Sequence, residues 1–217
     1  MPENIYKPDL KSDKHCQIPG LEWIYCGVFG LKRDGVFVEI GAHDGRSWSN
    51  TAFLADLGWR GLYAEPIEHL ANRCRENHIN NRVTVEVCAV GSGSGITIRQ
   101  NGDTDYLFTG NPEFAKLNQA TKITGEFQTV TLDQLLVVHN IPVGFDLLVI
   151  DAEGMEVEVL KGFRLDVWYP YLIIIETHEL NPNAEMAERT DFINKFFLYE
   201  KYVKIYTSAI NTIFLRV

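Results

Sequence analysis

The sequence predicts an α/β domain built on an open, mostly parallel sheet with helices on both faces. Three observations carry that expectation. Short apolar runs (GVFVEIG, RGLYAEP, FDLLVID, YLIIIETH) alternate with stretches whose apolar residues recur at helical spacing. FDLLVID and YLIIIETH are apolar at successive positions, as strands covered on both faces must be. Strand–helix–strand succession also requires crossover connections, which pack helices against the sheet.

Taken in order, residues 1 to 34 form an N-terminal extension, polar at first, with a short helix in GLEWIYCGVFGLK. Residues 35 to 217 form the main domain. GVFVEIG is its first strand, and SNTAFLADLG a helix closed by Gly58. RGLYAEP is a second strand stopped by Pro66. IEHLANRCRENH is a helix with Ile67, Leu70 and Cys74 on its apolar face, and His69 and His78 on its surface. RVTVEVCAV reads as one third strand. GSGSG is a turn into ITIRQ, since a phosphate loop would continue with Gly-Lys-Ser/Thr. Residues 101 to 125 show little periodicity and read as a cap inserted over a site. FQTVTLDQLLVVHN gives a strand and helix, and FDLLVID a buried strand. MEVEVLKGF is a helix, YLIIIETH a strand, and AEMAERTDFINKFFLYEK a longer helix. YVKIYTSA and NTIFLRV form an antiparallel hairpin.

Composition narrows the function. A formal net charge of −9, with 20 Lys and Arg scattered along the chain, disfavours nucleic acid and anionic membranes as partners. The four cysteines show neither zinc spacing nor a disulfide framework. The first residues lack the apolar core of a secretion signal. A cytoplasmic setting and a small or neutral partner are expected.

The turn after the first strand, FVEIGAHDGRSWSNT, is where ligands sit in open α/β sheets. Gly41 and Gly45 permit backbone angles and close approaches that other residues resist. Ser47, Ser49, Asn50 and Thr51 place polar groups at the next helix start, where a carboxylate would fit. Trp48 and Trp59 are expected in the core or at the rim. Glu65 ends the second strand, where one carboxylate can accept both hydroxyls of a ribose. Turn and acid together point to a nucleoside. A dinucleotide would want Gly-x-Gly-x-x-Gly, and Asp44 would repel a pyrophosphate. S-adenosylmethionine (SAM), with a ribose, a sulfonium and no phosphate, suits these residues better.

FVEIGAHDGRSWSNT, GLYAEP, VTLDQLL, FDLLVIDAEGMEVEVLKGF and LIIIETH resemble, in order, the blocks of the FkbM family of SAM-dependent methyltransferases. The similarity runs from about Gly35 onward and is most specific from Ile150 to Gly162. The SNT at 49 to 51 is similar to one subgroup, and His43 stands where many members carry Asn. The resemblance implies a Rossmann-like class I methyltransferase fold, with seven strands and the last antiparallel. It also implies transfer of a methyl group from SAM to a hydroxyl, often on a sugar. By position it puts Glu39, Gly41 and Ala42 at the methionine end, with His43, Asn50 and Thr51 in the same turn. It puts Glu65 and Pro66 at the ribose, and Ala89 and Val90 beside the adenine. Asp151 falls at the methionine amino group or reacting centre.

An alcohol is a poor nucleophile while it keeps its proton, so a base or a divalent cation such as Mg²⁺ would help. Asp151, Glu153 and His178 are the catalytic candidates. Asp151, Glu153 and Glu176 are the candidate metal ligands. Glu153 has a second reading, as acceptor of backbone N–H groups at the next helix start. Two rival functions stay open: a non-catalytic domain that keeps the fold, and an NAD-dependent oxidoreductase, which the missing dinucleotide turn disfavours.

Overall fold

The apolar runs become strands, and the period of the chain decides which side chains meet. The computed structural model describes residues 16–104, 107–117, 122–177, 184–198 and 201–217. The chain passes through α1 (Leu21–Phe29), β1 (Val36–Ile40), α2 (Ala52–Asp56), β2 (Arg60–Ala64), α3 (Glu68–Asn77) and β3 (Val83–Glu86). Next come β4 (Ala89–Val90), β5 (Thr97–Thr104), β6 (Leu107–Thr109), α4 (Pro112–Leu117), β7 (Ile123–Val130) and α5 (Leu132–Val138). Then follow β8 (Leu147–Ile150), α6 (Glu156–Lys161), α7 (Leu165–Trp168), β9 (Leu172–Glu176), α8 (Ala184–Leu198), β10 (Tyr202–Thr207) and β11 (Asn211–Arg216).

Seven strands form the main sheet in the order β10, β11, β9, β8, β1, β2, β3. β11 runs antiparallel to both β9 and β10, while the pairs from β9 to β3 are parallel. Every residue of β8 and β9 is buried, as their unbroken apolar sequence requires. Alternation sends Leu147 and Val149 to one face, with Phe37, and Leu148 and Ile150 to the other, with Val38 and Ile40. Each fully buried aliphatic side chain contributes about 1.5–3 kcal/mol, so this double-faced strand pair anchors the fold. An Asp at Val149 would place an unpaired charge there and break it.

From β1 the chain steps outward through β2 and β3, then returns to lay β8 on the other side of β1. The strand order reverses between β1 and β8, and that crevice is where a ligand can enter.

Three elements differ from the sequence reading. RVTVEVCAV is two strands, because β3 pairs with β2 whereas β4 leaves to pair with β7 in a second sheet. The 101 to 125 segment is not a loop: it carries the end of β5, then β6, α4 and the start of β7. That second sheet runs in the order β4, β7, β5, β6. Its Asn, Asp, Gly and Thr content masks the strand pattern. α7 was not anticipated, and at four residues it is too short for periodicity to show.

Candidate active site

A cavity of about 680 Å³ opens at the carboxyl ends of β1, β2 and β8, a volume suited to a small organic ligand. The turn after β1 contributes Glu39, Gly41, Ala42 and His43 to its wall, and the end of β2 contributes Glu65 and Pro66. β4 supplies Ala89 and Val90, and the turn after β8 supplies Asp151 and Glu153. His178 lies outside the described residues.

Gly41 is needed for the two turns to meet. Its φ is 83°, and a Cβ there would come within 1.6 Å of the Asp151 carbonyl oxygen. The close approach that the glycine allows is thus made by the neighbouring strand. Gly41 N and Ala42 N both donate to Ala64 O, at 2.9 and 3.2 Å, while Asp151 N donates to Ile40 O at 2.9 Å. Three strand ends are thereby locked together.

Glu39 is buried and accepts hydrogen bonds from the hydroxyls of Thr51 and, at 3.3 Å, Ser49. Burial pushes its carboxyl up to about 7, with the Thr51 bond pulling the other way. Asn50 and Thr51 are both buried and stand behind the cavity wall rather than on it. Their expected place at the ligand is corrected accordingly: Thr51 serves Glu39, and Asn50 holds Gln17 and the Tyr25 hydroxyl. At the start of α2, Ser49 Oγ already accepts from Thr51 N and Ala52 N at 3.2 and 3.0 Å.

Glu65 is fixed by two backbone donors, His43 N on Oε2 and Ile67 N on Oε1, each at 2.8 Å. Burial raises its carboxyl above the usual range, partly offset by those two N–H groups. Each oxygen keeps a second lone pair for a ligand.

The turn after β8 is organised differently. Glu156, fully buried, accepts from Ala152 N at 2.9 Å and Gly154 N at 3.1 Å through Oε1, and pairs with Arg189 through Oε2. The backbone-binding job considered for Glu153 therefore belongs to Glu156. Glu153 takes a left-handed φ of 49°, an unfavourable conformation for a residue with a side chain. Burial, then the charges of Glu176, Asp151 and Glu156, push its carboxyl up to about 9. Glu176 is buried off the cavity wall and is raised well above its ordinary value, by burial and by Asp151.

Among the described residues no group of three or more His, Cys, Asp or Glu side chains gathers as a metal would require. The divalent cation expected at Asp151, Glu153 and Glu176 finds no support among the described residues. Four carboxylates line the cavity, and among its described lining residues none is Lys or Arg. Such a wall favours a cation over phosphate, although burial keeps Glu153 neutral and Glu39 only partly ionised near pH 7 until a positive charge enters.

Gln17 is a lining residue that the sequence reading missed, and Trp48 is one that it placed in the core or at the rim. Gln17 left no signal, since its partners lie far along the chain. Trp48 sits at the rim, 61% exposed with φ 60°, whereas Trp59 is core. His78 is buried rather than on the surface, with Nε2 2.7 Å from Gly45 O.

A seven-stranded sheet in this order, with an acid-walled cavity at its switch point, has the architecture of the class I SAM-dependent methyltransferases. Residues 39–204 match the family model of the methyltransferase FkbM domain, and the chain belongs to that family. No curated protein matches at a significant level. Solved structures with a similar fold include an O-methyltransferase from Bacillus cereus in complex with SAH (18% identity, 99% of this chain and 84% of that one, TM-score 0.45). A SAM-dependent O-methyltransferase from Thermotoga maritima is 12% identical over 96% of this chain and 70% of its own, with TM-score 0.44. A candidate RNA methyltransferase from Pyrococcus horikoshii is 11% identical over 99% and 88%, with TM-score 0.46.

Proposed function

We propose that the chain transfers a methyl group from SAM to a hydroxyl of a small-molecule or glycan acceptor, with a sugar as the first class to test. The observation that carries this reading is the cavity at the strand-order reversal, walled by four carboxylates and no described Lys or Arg. Bound SAM would supply a methyl group on a positively charged sulfur. Glu65 is the carboxylate for the ribose hydroxyls, because its two backbone donors fix it in place. Glu39, Gly41 and Ala42 line the methionine end, with Asp151 on the amino group. Ala89 and Val90 offer the apolar slot for adenine.

Glu153 is the base that takes the acceptor's proton. A carboxyl at about 9 accepts a proton from an alcohol with more driving force than an ordinary one. It ionises more readily once a positive charge enters among its acidic neighbours. The second sheet acts as the cap, bringing Ile98 and Gly110 to the cavity. Trp48 and Ile210 supply exposed apolar surface at the mouth, on the acceptor side.

The acidic wall also disfavours phosphate-bearing partners, so nucleic acid and NAD are not the ligands proposed. No helix among the described residues is long and apolar enough to cross a membrane. A cytoplasmic setting is our proposal from sequence. Calorimetry with SAM and with NAD tests the assignment: SAM binds at micromolar strength and NAD does not. The reverse result would restore the oxidoreductase reading. SAM binding without turnover on a panel of hydroxyl acceptors would favour a non-catalytic domain.

A further inference from the structure

Gln17 joins three distant parts of the chain at the cavity wall. Its Oε1 accepts from Asn50 Nδ2 and from Asn211 Nδ2, each at 2.9 Å, and its Nε2 donates to Asp151 Oδ2 at 2.8 Å. Two amide donors on the carbonyl leave the side chain one sensible orientation, with its NH₂ toward Asp151. Flipped, it would face a carboxylate with a carbonyl and two NH₂ groups with a third. The anchors are themselves fixed. Asn50 O accepts from the Tyr25 hydroxyl at 2.7 Å, and Asn211 N, at the start of β11, donates to Ser208 Oγ at 2.9 Å. Gln17 and Asn211 both fall outside residues 39–204, the span matched by the family model.

We propose that Gln17 is a positioning residue for Asp151, holding that carboxylate at the cavity wall without itself bringing a positive charge beside it; this rests on reading the cavity as a SAM site. A Lys or Arg at this place would hold Asp151 as firmly, but would neutralise it. The described ionisable groups that feel the charge of Asp151 include three acids, Glu39 on β1, Glu153 in its own turn and Glu176 on β9. A neutral donor therefore fixes the geometry and preserves the acidity that a cationic ligand meets. The N-terminal segment thus supplies a working part of the site.

A double-mutant cycle on the full chain tests this, with SAM affinity measured by calorimetry for wild type, Gln17→Met, Asp151→Asn and the pair. Gln17→Met is expected to weaken SAM about tenfold in the wild-type background and less than about twofold in the Asp151→Asn background. The same weakening in both backgrounds overturns the inference and leaves the SAM assignment standing. No SAM binding by the wild-type chain overturns both. Thermal melts establish that each variant is folded. Gln17→Lys provides the second arm: it keeps a donor beside Asp151 but cancels the charge, and is expected to weaken SAM more than Gln17→Met. Wild-type affinity in Gln17→Lys also overturns the inference.

Discussion

Two acid-bearing turns face the same cavity, and they treat their carboxylates in opposite ways. After β1, donors meet the acids. Asp44 accepts from Ser47 N, Arg46 N and the Ser47 hydroxyl at 2.7 to 2.9 Å. Burial alone would raise it, yet those bonds hold it below the usual range. Glu65 has its two backbone donors, and Glu39 its two hydroxyls. After β8, the backbone donors go to Glu156, and burial, then the like charges around it, push Glu153 up to about 9. Donors make a carboxylate a rigid contact, whereas burial among like charges raises its affinity for a proton.

Substitutions can break this contrast. The largest effect is expected at Glu153, the proposed base, where Glu153→Gln should cut turnover by about 10² or more. Near-normal steady-state rates would remove Glu153 from that role. Next comes Glu65→Ala, expected to weaken SAM by about 10- to 100-fold in calorimetry, since it deletes a charged hydrogen-bonding group. Glu68→Ala, on the exposed first turn of α3, serves as its control and should change little. Equal losses from the two would defeat the ribose assignment.

Glu153 sharpens the contrast through pH. Its folded pKa of about 9 lies above the ordinary 4.5, so the fold favours its neutral form. The stability tied to that form is complete below pH 4.5 and is lost as pH rises through about 9. Glu153→Gln stays neutral throughout. Thermal melts should show wild type losing several degrees relative to the variant across that window, at about 2–4 °C per kcal/mol. Parallel curves would mean that Glu153 is not held among like charges. The smallest effect is expected from Trp48→Ala, a severalfold rise in acceptor KM with SAM affinity unchanged. A fall in SAM affinity would move Trp48 off the acceptor side.

Much of this was legible in the chain. The unbroken apolar runs of β8 and β9 could only be strands covered on both faces, and Gly41 and Glu65 marked the cavity by position. His78 could have been read as well, since it follows Leu70 and Cys74 at four-residue spacing on the buried face of α3. Periodicity marks a face whatever residue occupies it, and a histidine was too readily given to solvent. Gln17 could not have been found this way. Its partners Asp151 and Asn211 lie 134 and 194 positions away, and no local pattern encodes a contact of that range. The exchange of roles between Glu153 and Glu156 was hidden for a related reason. Both acids belong to one motif, and only the backbone path decides which of them meets the N–H groups.

A crystal structure with the demethylated product of SAM tests the central claim most directly. The account predicts that its ribose hydroxyls meet Glu65 and its amino group meets Asp151, in the crevice between β1 and β8. Ligand bound elsewhere, or this crevice closed by its own side chains, would contradict it.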